Sequence, residues 1–366
     1  MPEKGAPPNV HPVQRRVLKA LESLSSPLLP DDYLELVNPL WSTRELRGRI
    51  QEVRNETAQS ATILIKPGYR WPGHKPGQYV RIGIDIDGVR HWRAYSLTSD
   101  PYREDGLISI TPKRVDEGKV SPYLVGKAKP GTIVSLSKIE GEFVLADEPP
   151  SKLLFVSAGS GITPIMSMLR HLDHAQEMPD VVMLHSARET DEVIFGDDLR
   201  GLAERYDHFR LHEQLTRENG RMGPHDLDRL CPDWREREAY VSGPNDMLDA
   251  FTEHFEREAD CDRLHVERFQ PMLGLGQNGE GEGGTIKFCM SGCEAASDGS
   301  VPILVAGEEA GLELPFGCRE GICHTCVGEL RSGKVRDLRN GKVYGQEGEV
   351  IRTCISAPEG PVEIDL

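Results

Sequence analysis

Leu314-Pro315-Phe316-Gly317-Cys318-Arg319-Glu320-Gly321-Ile322-Cys323-His324-Thr325-Cys326 is the stretch on which the reading turns, and Cys354 follows it after a long gap. The spacing is C-x4-C-x2-C…C. Four thiolates in that order hold a two-iron cluster, three from one loop wrapped around it and the fourth from a distant segment that closes the site. Gly317 and Gly321 let the backbone fold tightly and aim N–H groups at sulfur, which stabilises the extra electron of the reduced state. Zinc and plain core cysteines are the alternatives, but zinc sites use C-x2-C pairs, a pattern the longer gap breaks. Cys289 and Cys293, spaced C-x3-C on a first strand and its turn, read as bystanders, and Cys231 and Cys261 read as ordinary thiols.

Working outward, residues 274–284 hold six glycines in eleven positions, a composition that behaves as a flexible coil with a span on the order of 20 Å. A module tethered that closely stays near millimolar effective concentration around its neighbour. Upstream, from Lys152, apolar runs alternate with helical patterns: residues 153–156, 164–172, 181–185 and 195–206, the rhythm of a parallel α/β sheet. Further back, from Leu46 to about Leu145, short alternating segments such as Ala61-Thr62-Ile63-Leu64-Ile65 and Gly106-Leu107-Ile108-Ser109-Ile110 sit between Gly and Pro turns, as in an antiparallel barrel. Residues 13–24 repeat apolar positions at helical intervals and predict one helix in an N-terminal extension.

A chain of 366 residues is too long for one core and is expected to divide into two or three folded units. No stretch approaches the roughly 18 consecutive apolar residues of a membrane helix, and the N-terminus lacks a charged-then-apolar signal pattern. The expected location is therefore cytoplasmic, peripheral to a membrane only through a partner. A formal net charge of −16 argues against nucleic acid and favours a partner with a basic face, although solubility alone accounts for it as well. Eight cysteines in a chain of this size without a secretion signal point to a metal or cluster rather than to disulfides.

Arg93-Ala94-Tyr95-Ser96-Leu97-Thr98-Ser99 puts a cation, an aromatic ring and hydroxyls into a strand pattern, where alternate side chains such as Arg93 and Tyr95 share a face. A flavin needs an aromatic surface, a hydrogen bond near N5 and positive charge or N–H donors for its phosphates. Alone, R-x-Y-S could be a surface strand. Gly118-Lys119-Val120-Ser121 follows, however, at an expected helix start, where free N–H groups favour phosphate. Phe155-Val156-Ser157-Ala158-Gly159-Ser160-Gly161-Ile162-Thr163-Pro164 ends a buried strand in a glycine turn and opens a helix, a second phosphate cradle. It lacks the third glycine of G-x-G-x-x-G, so a plain strand-to-helix turn explains it equally. Arg188 is placed to meet a 2′-phosphate, with Arg217 further on, whereas Glu189 and Asp191 favour a free ribose; alternatively Arg188 pairs with Asp191 on the surface.

From about Thr285 to Leu366 the chain resembles plant-type ferredoxins, which carries over Cys318, Cys323, Cys326 and Cys354 as ligands of a 2Fe-2S cluster and implies an α+β β-grasp domain. From about Leu46 to Phe269, R-x-Y-S, Thr111-Pro112-Lys113-Arg114, the glycine-led turn, G-x-G-x-T-P and Val241-Ser242-Gly243-Pro244 resemble the ferredoxin-NADP reductase superfamily. That resemblance implies Arg93, Tyr95 and Ser96 at a flavin ring, Lys113 alongside, and Gly118, Val120 and Ser121 at its phosphates. It also implies Gly159, Gly161 and Thr163 at the nicotinamide cofactor, with Ser242, Gly243 and Pro244 beside the nicotinamide. Tyr95, Ser96 and Ser242 are then the expected catalytic residues. Relatives usually carry Cys before that Gly-Pro; Ser242 fills the space with a hydroxyl. Phe269, in Glu267-Arg268-Phe269, is implied near the flavin.

The expected fold is multidomain: an N-terminal helical extension (1–43), a flavin-binding antiparallel β-barrel (44–148), an α/β parallel-sheet NAD(P)-binding domain (149–273), a glycine-rich linker (274–284) and the ferredoxin domain (285–366). The expected cofactors are FAD, with FMN the lesser alternative, a 2Fe-2S cluster, and NADPH or NADH with a lean to NADPH. Hydride brings two electrons at once and a cluster takes one, so a flavin has to stand between them. Residues 284–366 hold thirteen Asp and Glu against eight Lys and Arg, a formal −5 that suits a basic acceptor. Reductase first and ferredoxin last resembles bacterial oxygenase and desaturase reductases, above all the actinobacterial electron-transfer partner of membrane stearoyl-CoA desaturase, including Leu28-Leu29-Pro30-Asp31-Asp32-Tyr33 and Asn38-Pro39-Leu40-Trp41. It implies an acyl-CoA desaturase as acceptor, with alkane hydroxylase or another oxygenase as alternatives. A stand-alone ferric or flavin reductase and a redox sensor are the competing functions.

Overall fold

Between residues 46 and 140 the alternating pattern resolves into six antiparallel strands: β1 (Leu46–Thr57), β2 (Ser60–Pro67), β3 (Tyr79–Ile86), β4 (Val89–Ser96), β5 (Ile108–Ile110) and β6 (Ile133–Glu140). The structure, a computed structural model, describes residues 37–42, 45–86, 88–116, 118–269, 281–299, 301–312, 314–315, 321, 326–338 and 341–366. The strand order is β4-β3-β6-β1-β2-β5. Its two edges meet: Leu97, just after β4, bridges Ile110 of β5, and Thr98 N donates to Ser109 O at 2.8 Å. Closure removes exposed sheet edges and makes a barrel. Ile50, Ile63, Ile65, Val80, Ile82 and Ile110 fill it, and the helix α1 (Val120–Gly126) adds Val120 and Leu124 to the same core.

The next unit is a parallel sheet of β7 (Lys152–Ala158), β8 (Asp180–Ala187), β9 (Phe209–Leu215), β10 (Glu238–Ser242) and β11 (Leu264–Glu267), ordered β11-β10-β7-β8-β9. Successive side chains of a strand point to opposite faces. Leu153 and Phe155 therefore pack under α2 (Ile162–Ala175) and α3 (Gly196–Arg205), while Leu154 and Val156 join Trp234, Phe251 and Phe255 beneath α4 (Asn245–Glu258). β11 is only four residues long and lacks the apolar run that marks the other strands. At the opposite end from the loops discussed below, fully buried Arg237 is held by Asp233 (2.8 Å), Asp180 (3.0 Å) and the carbonyl of Leu153 (3.1 Å).

β7 and β10 are neighbours in the sheet, and the connections leaving them run to opposite sides, so the crevice outside their carboxyl ends is the topological switch point. The two glycine turns meet there. A Cβ on Gly161 would lie 2.1 Å from Ser242 O, and one on Gly243 would lie 3.3 Å from Ala158 Cβ.

The C-terminal unit is a mixed sheet of β12 (Gly284–Phe288), β13 (Cys293–Ser297), β14 (Val327–Asp337), β15 (Val343–Tyr344), β16 (Val350–Arg352) and β17 (Ser356–Asp365) around α5 (Ile303–Glu309). The order is β13-β12-β17-β14-β15, with β16 paired to β14, and only β12 and β17 run parallel. This is the expected α+β arrangement, so all three expected architectures are present.

The helix expected at residues 13–24 and the stretch Leu28 to Tyr33 lie outside the described residues. Asn38–Trp41 forms a turn strapped to β1, because Asn38 Oδ1 accepts from both Leu40 N (3.1 Å) and Arg49 Nη2 (3.1 Å). Among the described residues no helix is long and apolar enough to cross a membrane.

Gly161→Ala should force the two glycine turns apart, lowering stability by about 1–3 kcal/mol, the usual cost of overpacking. Thermal unfolding of the variant beside the parent measures it, and an unchanged midpoint would contradict the close packing.

Candidate functional site

A cavity of about 500 Å³ opens between the barrel and the parallel-sheet unit. The barrel contributes Tyr79, Tyr95, Ser96, Lys113 and Val115; the other unit contributes Ser160, Thr163, Glu267 and Phe269. That volume and a wall carrying two tyrosine rings fit a flat aromatic ligand with a few polar contacts. Four of the residues expected at the site, Tyr95, Ser96, Lys113 and Thr163, thus come together, as does Phe269. Tyr95 and Ser96 are delivered by the last turn of pleat in β4, opposite Val80 and Tyr79 of β3. Tyr79 donates to Glu140 at 3.2 Å, and burial together with that carboxylate pushes the phenol up to about 12, so it keeps its proton.

The remaining expected residues fall differently. Arg93 does not line the cavity; its Nη1 donates to Trp92 O at 2.8 Å. Val120 is 2 % exposed and packs its side chain into the barrel core, so only its backbone is available to a ligand. Ser121 Oγ accepts from Val115 N at 3.1 Å, and Gly118 N donates to Val115 O at 2.9 Å, which ties Gly118 and Ser121 to Val115 of the cavity wall. Lys113 reaches across the cavity mouth to Glu192 at 3.3 Å, an ion pair between the two units that its sequence neighbourhood does not reveal.

The sheet end beneath the glycine turns carries a polar row. In register across it stand Glu267 of β11, Ser242 of β10, Ser157 of β7 and His185 of β8. Ser157 Oγ and His185 Nδ1 are 2.7 Å apart, and burial pushes the imidazole down to about 4, so it is neutral. Ser242 Oγ and His185 Nε2 are buried with no hydrogen-bond partner. Orphaned polar atoms at a switch point are what a nicotinamide amide or an ordered water would satisfy. Gly159 has φ +55, the left-handed region, with open space where a Cβ would be. These residues fit a bound nicotinamide cofactor.

Arg188 follows β8 on the same rim and is exposed, making no ion pair with Asp191 or with any other described residue. Glu189 is paired instead with Arg217. One of the two carboxylates beside Arg188 is therefore paired elsewhere, and Asp191 is exposed.

In the C-terminal unit Cys326 and Cys354 are 1 % and 2 % exposed and share one core. Thr353 N and Thr353 Oγ1 both donate to Cys326 O at 2.8 Å, tying the two cysteine segments together. Gly321 N lies 3.1 Å from Cys354 Sγ, and Gly321 reaches that pose at φ +68 with Ile355 packed where a Cβ would go. An N–H aimed at a buried sulfur fits an iron–sulfur ligand. Cys318 and Cys323 lie outside the described residues. Cys289 and Cys293 flank an exposed hairpin turn away from this pair.

Three family models match consecutive parts of the chain: an oxidoreductase FAD-binding domain at residues 71–144, an oxidoreductase NAD-binding domain at 155–253 and a 2Fe-2S iron-sulfur cluster binding domain at 288–359. The chain belongs to the ferredoxin-reductase-type oxidoreductases that join these three domains in one polypeptide. It is 45 % identical over 359 residues to an NADPH oxidoreductase of Mycobacterium tuberculosis, covering 97 % of this chain and 93 % of that protein. It is 31 % identical over 319 residues to the glycine betaine monooxygenase reductase subunit of Pseudomonas aeruginosa, covering 80 % and 87 %. Among solved structures, phthalate dioxygenase reductase superposes with a TM-score of 0.59 at 21 % identity, over 88 % of this chain and 98 % of that one, and so shares the fold.

Glu267 was not singled out by its motif, yet burial pushes its carboxyl up to about 7. Folded protein holds that proton more tightly than unfolded chain, so this residue's contribution to stability falls as pH rises from its ordinary 4.5 through about 7. Glu267→Gln should leave stability near pH 5 little changed and raise it at pH 8, read by denaturant unfolding of the flavin-free protein. An equal effect at both pH values would contradict the raised carboxyl.

Proposed function

We propose that this chain oxidises NADPH and delivers single electrons to a separate acceptor protein, a membrane acyl-CoA desaturase or a related oxygenase. The observation that carries this reading is the shared cavity, in which side chains of the FAD-binding domain face those of the NAD-binding domain. When bound, FAD accepts two electrons together and releases them one at a time, which a 2Fe-2S cluster requires.

Tyr95 and Ser96 would hold the ring, Tyr95 by its aromatic face and Ser96 by its hydroxyl. Lys113 supplies positive charge at the cavity wall, and the backbone of Gly118 and Val120, with the hydroxyl of Ser121, serves the phosphates. Gly159, Gly161 and Thr163 form the turn for the nicotinamide cofactor's phosphates, where helix N–H groups favour anions. Ser242, with Gly243 and Pro244, sits where the nicotinamide enters and offers an unpartnered hydroxyl to it. Glu267, able to carry a proton near neutrality, is placed to exchange one with the cavity. Arg188, freed of Glu189 by Arg217, selects NADPH over NADH.

Cys318, Cys323, Cys326 and Cys354 would ligate the cluster. The acidic surplus of residues 284–366 then suits an acceptor with a basic face. The oxygenase class is supported by relatives that are themselves monooxygenase reductase subunits. The desaturase is supported by the similarity of the N-terminal segments to the reductase partner of stearoyl-CoA desaturase.

Anaerobic titration with NADPH, followed by visible absorbance and low-temperature EPR, tests the reading. Flavin bleaching with a rhombic one-electron signal is expected; bleaching without that signal would leave a simple flavin reductase. Cys354→Ser should abolish cytochrome reduction and spare ferricyanide reduction, and equal loss of both would refute the relay. Arg188→Ala should weaken NADPH binding by roughly 10-fold or more and leave NADH unaffected, as loss of one charge-assisted contact implies.

A further inference from the structure

Helix α2 does more than present the glycine turn at its N-terminus. Ser167, Arg170, His171 and His174 recur at intervals of three and four and so form one polar stripe along it. All four side chains engage the same short segment of the FAD-binding barrel. Ser167 Oγ donates to Ser99 O at 2.8 Å, and Arg170 Nη1 donates to Thr98 O at 2.7 Å. His171 Nδ1 lies 3.3 Å from one oxygen of Asp100, and His174 Nδ1 bonds the other. The junction is dry: Thr98 is 0 % exposed, Ser99 1 %, Asp100 6 % and Ser167 0 %.

The engaged segment is stiff on its own side too. Thr98 Oγ1 meets Ser109 Oγ at 2.8 Å, Ser109 N donates to Ser99 Oγ at 3.1 Å, and His74 Nε2 lies 3.3 Å from Ser99 O. Arg170 is braced behind by Asp198 at 2.7 Å and by the ring of Phe195. Thr98 stands two residues after Ser96, the polar end of β4. Ser167 stands one helical turn, about 6 Å, after Thr163. One rigid path therefore runs from the flavin-facing strand to the nicotinamide-facing turn.

We propose that the stripe Ser167, Arg170, His171 and His174, anchored on Asp100, is a positioning device that sets the distance between the flavin and nicotinamide sites. This rests on the functional reading above. Hydride transfer tolerates little error: a displacement of about 1 Å can cost on the order of 100-fold in rate. None of the four side chains lines the cavity, so each acts through the backbone it holds.

The test compares Asp100→Ala, His174→Ala and His174→Asn in the FAD-loaded, full-length protein by anaerobic stopped flow with NADPH. His174 is half exposed and its loss leaves no cavity, so that pair stays informative if Asp100→Ala folds poorly. Flavin reduction should slow by roughly 10- to 100-fold in both alanine variants, as displacement at the reacting centre requires. Affinity for NADPH should stay within about 3-fold and photoreduction of the flavin should be unchanged. His174→Asn, whose amide keeps a donor near the position of Nδ1, should recover most of the rate. A second readout needs no cofactor: in flavin-free Asp100→Ala, hydrogen exchange should rise together in residues 97–101 and 162–175. Full-speed flavin reduction in folded alanine variants, or exchange rising on one side alone, would overturn the proposal. A parent protein that NADPH does not reduce would instead sink the functional reading, while the exchange measurement would still judge the clamp.

Discussion

The contact on which the rest depends is the approach of Gly161 to the carbonyl of Ser242, where a single added carbon would sit 2.1 Å from oxygen. It brings the turn after β7 against the turn after β10, the two loops at the sheet's switch point. Because those strands are neighbours, the row of Ser157, Ser242 and Glu267 is also drawn together beneath the turns. A bulkier residue in either turn would separate the loops and open the row to water. Water would supply the partners that Ser242 Oγ and His185 Nε2 now lack, and the site would lose its preference for a ligand that can do the same.

A second constraint follows from burying polar groups. The carbonyls of Thr98 and Ser99 and the carboxylate of Asp100 lie between two domains and cannot be left without donors. α2 supplies them from one face while its apolar face, with Ile162, Ile165, Met166 and Leu169, packs on the parallel sheet. The helix is thus apolar toward its own domain and polar toward the next. The same helix that carries the glycine turn at its N-terminus fixes the neighbouring barrel, and Lys113 with Glu192 adds a second tie across the cavity mouth.

Much of this was legible in the sequence, and what was not has identifiable reasons. Short apolar segments between Gly and Pro turns, such as Ala61 to Ile65, gave the barrel, and apolar runs alternating with helical patterns, such as Leu153 to Val156, gave the parallel sheet. Tyr95, Ser96, Lys113 and Thr163 could be expected at one site because the motifs that carry them follow the order of the ferredoxin-NADP reductase superfamily. Arg93 could not: side-chain alternation assigns a face, but a long guanidinium turns to the nearest carbonyl, here Trp92. Val120 looked like part of a phosphate turn, yet as the first residue of α1 it faces the barrel core. Glu267 carried no signal because its property is burial, which depends on the neighbouring strand that brings Ser242 beside it. The stripe on α2 reads in sequence as the ordinary wet side of an amphipathic helix, since nothing local says that another domain covers it.

The two halves of the chain answer to different tolerances. The barrel and the parallel-sheet domain are joined by buried hydrogen bonds and by the ion pair of Lys113 with Glu192, as a reaction needing atoms in near contact demands. Between the reductase and the C-terminal domain, residues 274–284 hold six glycines in eleven positions. Single-electron passage, unlike hydride transfer, does not require the donor and acceptor atoms to touch. The acidic excess of that module belongs to the same logic. Charge steers encounter over a Debye length of about 8 Å and releases readily, whereas an apolar interface large enough to select a partner would also retain it. The buried polar network thus lies at the junction where a displacement of the reacting atoms would cost the most.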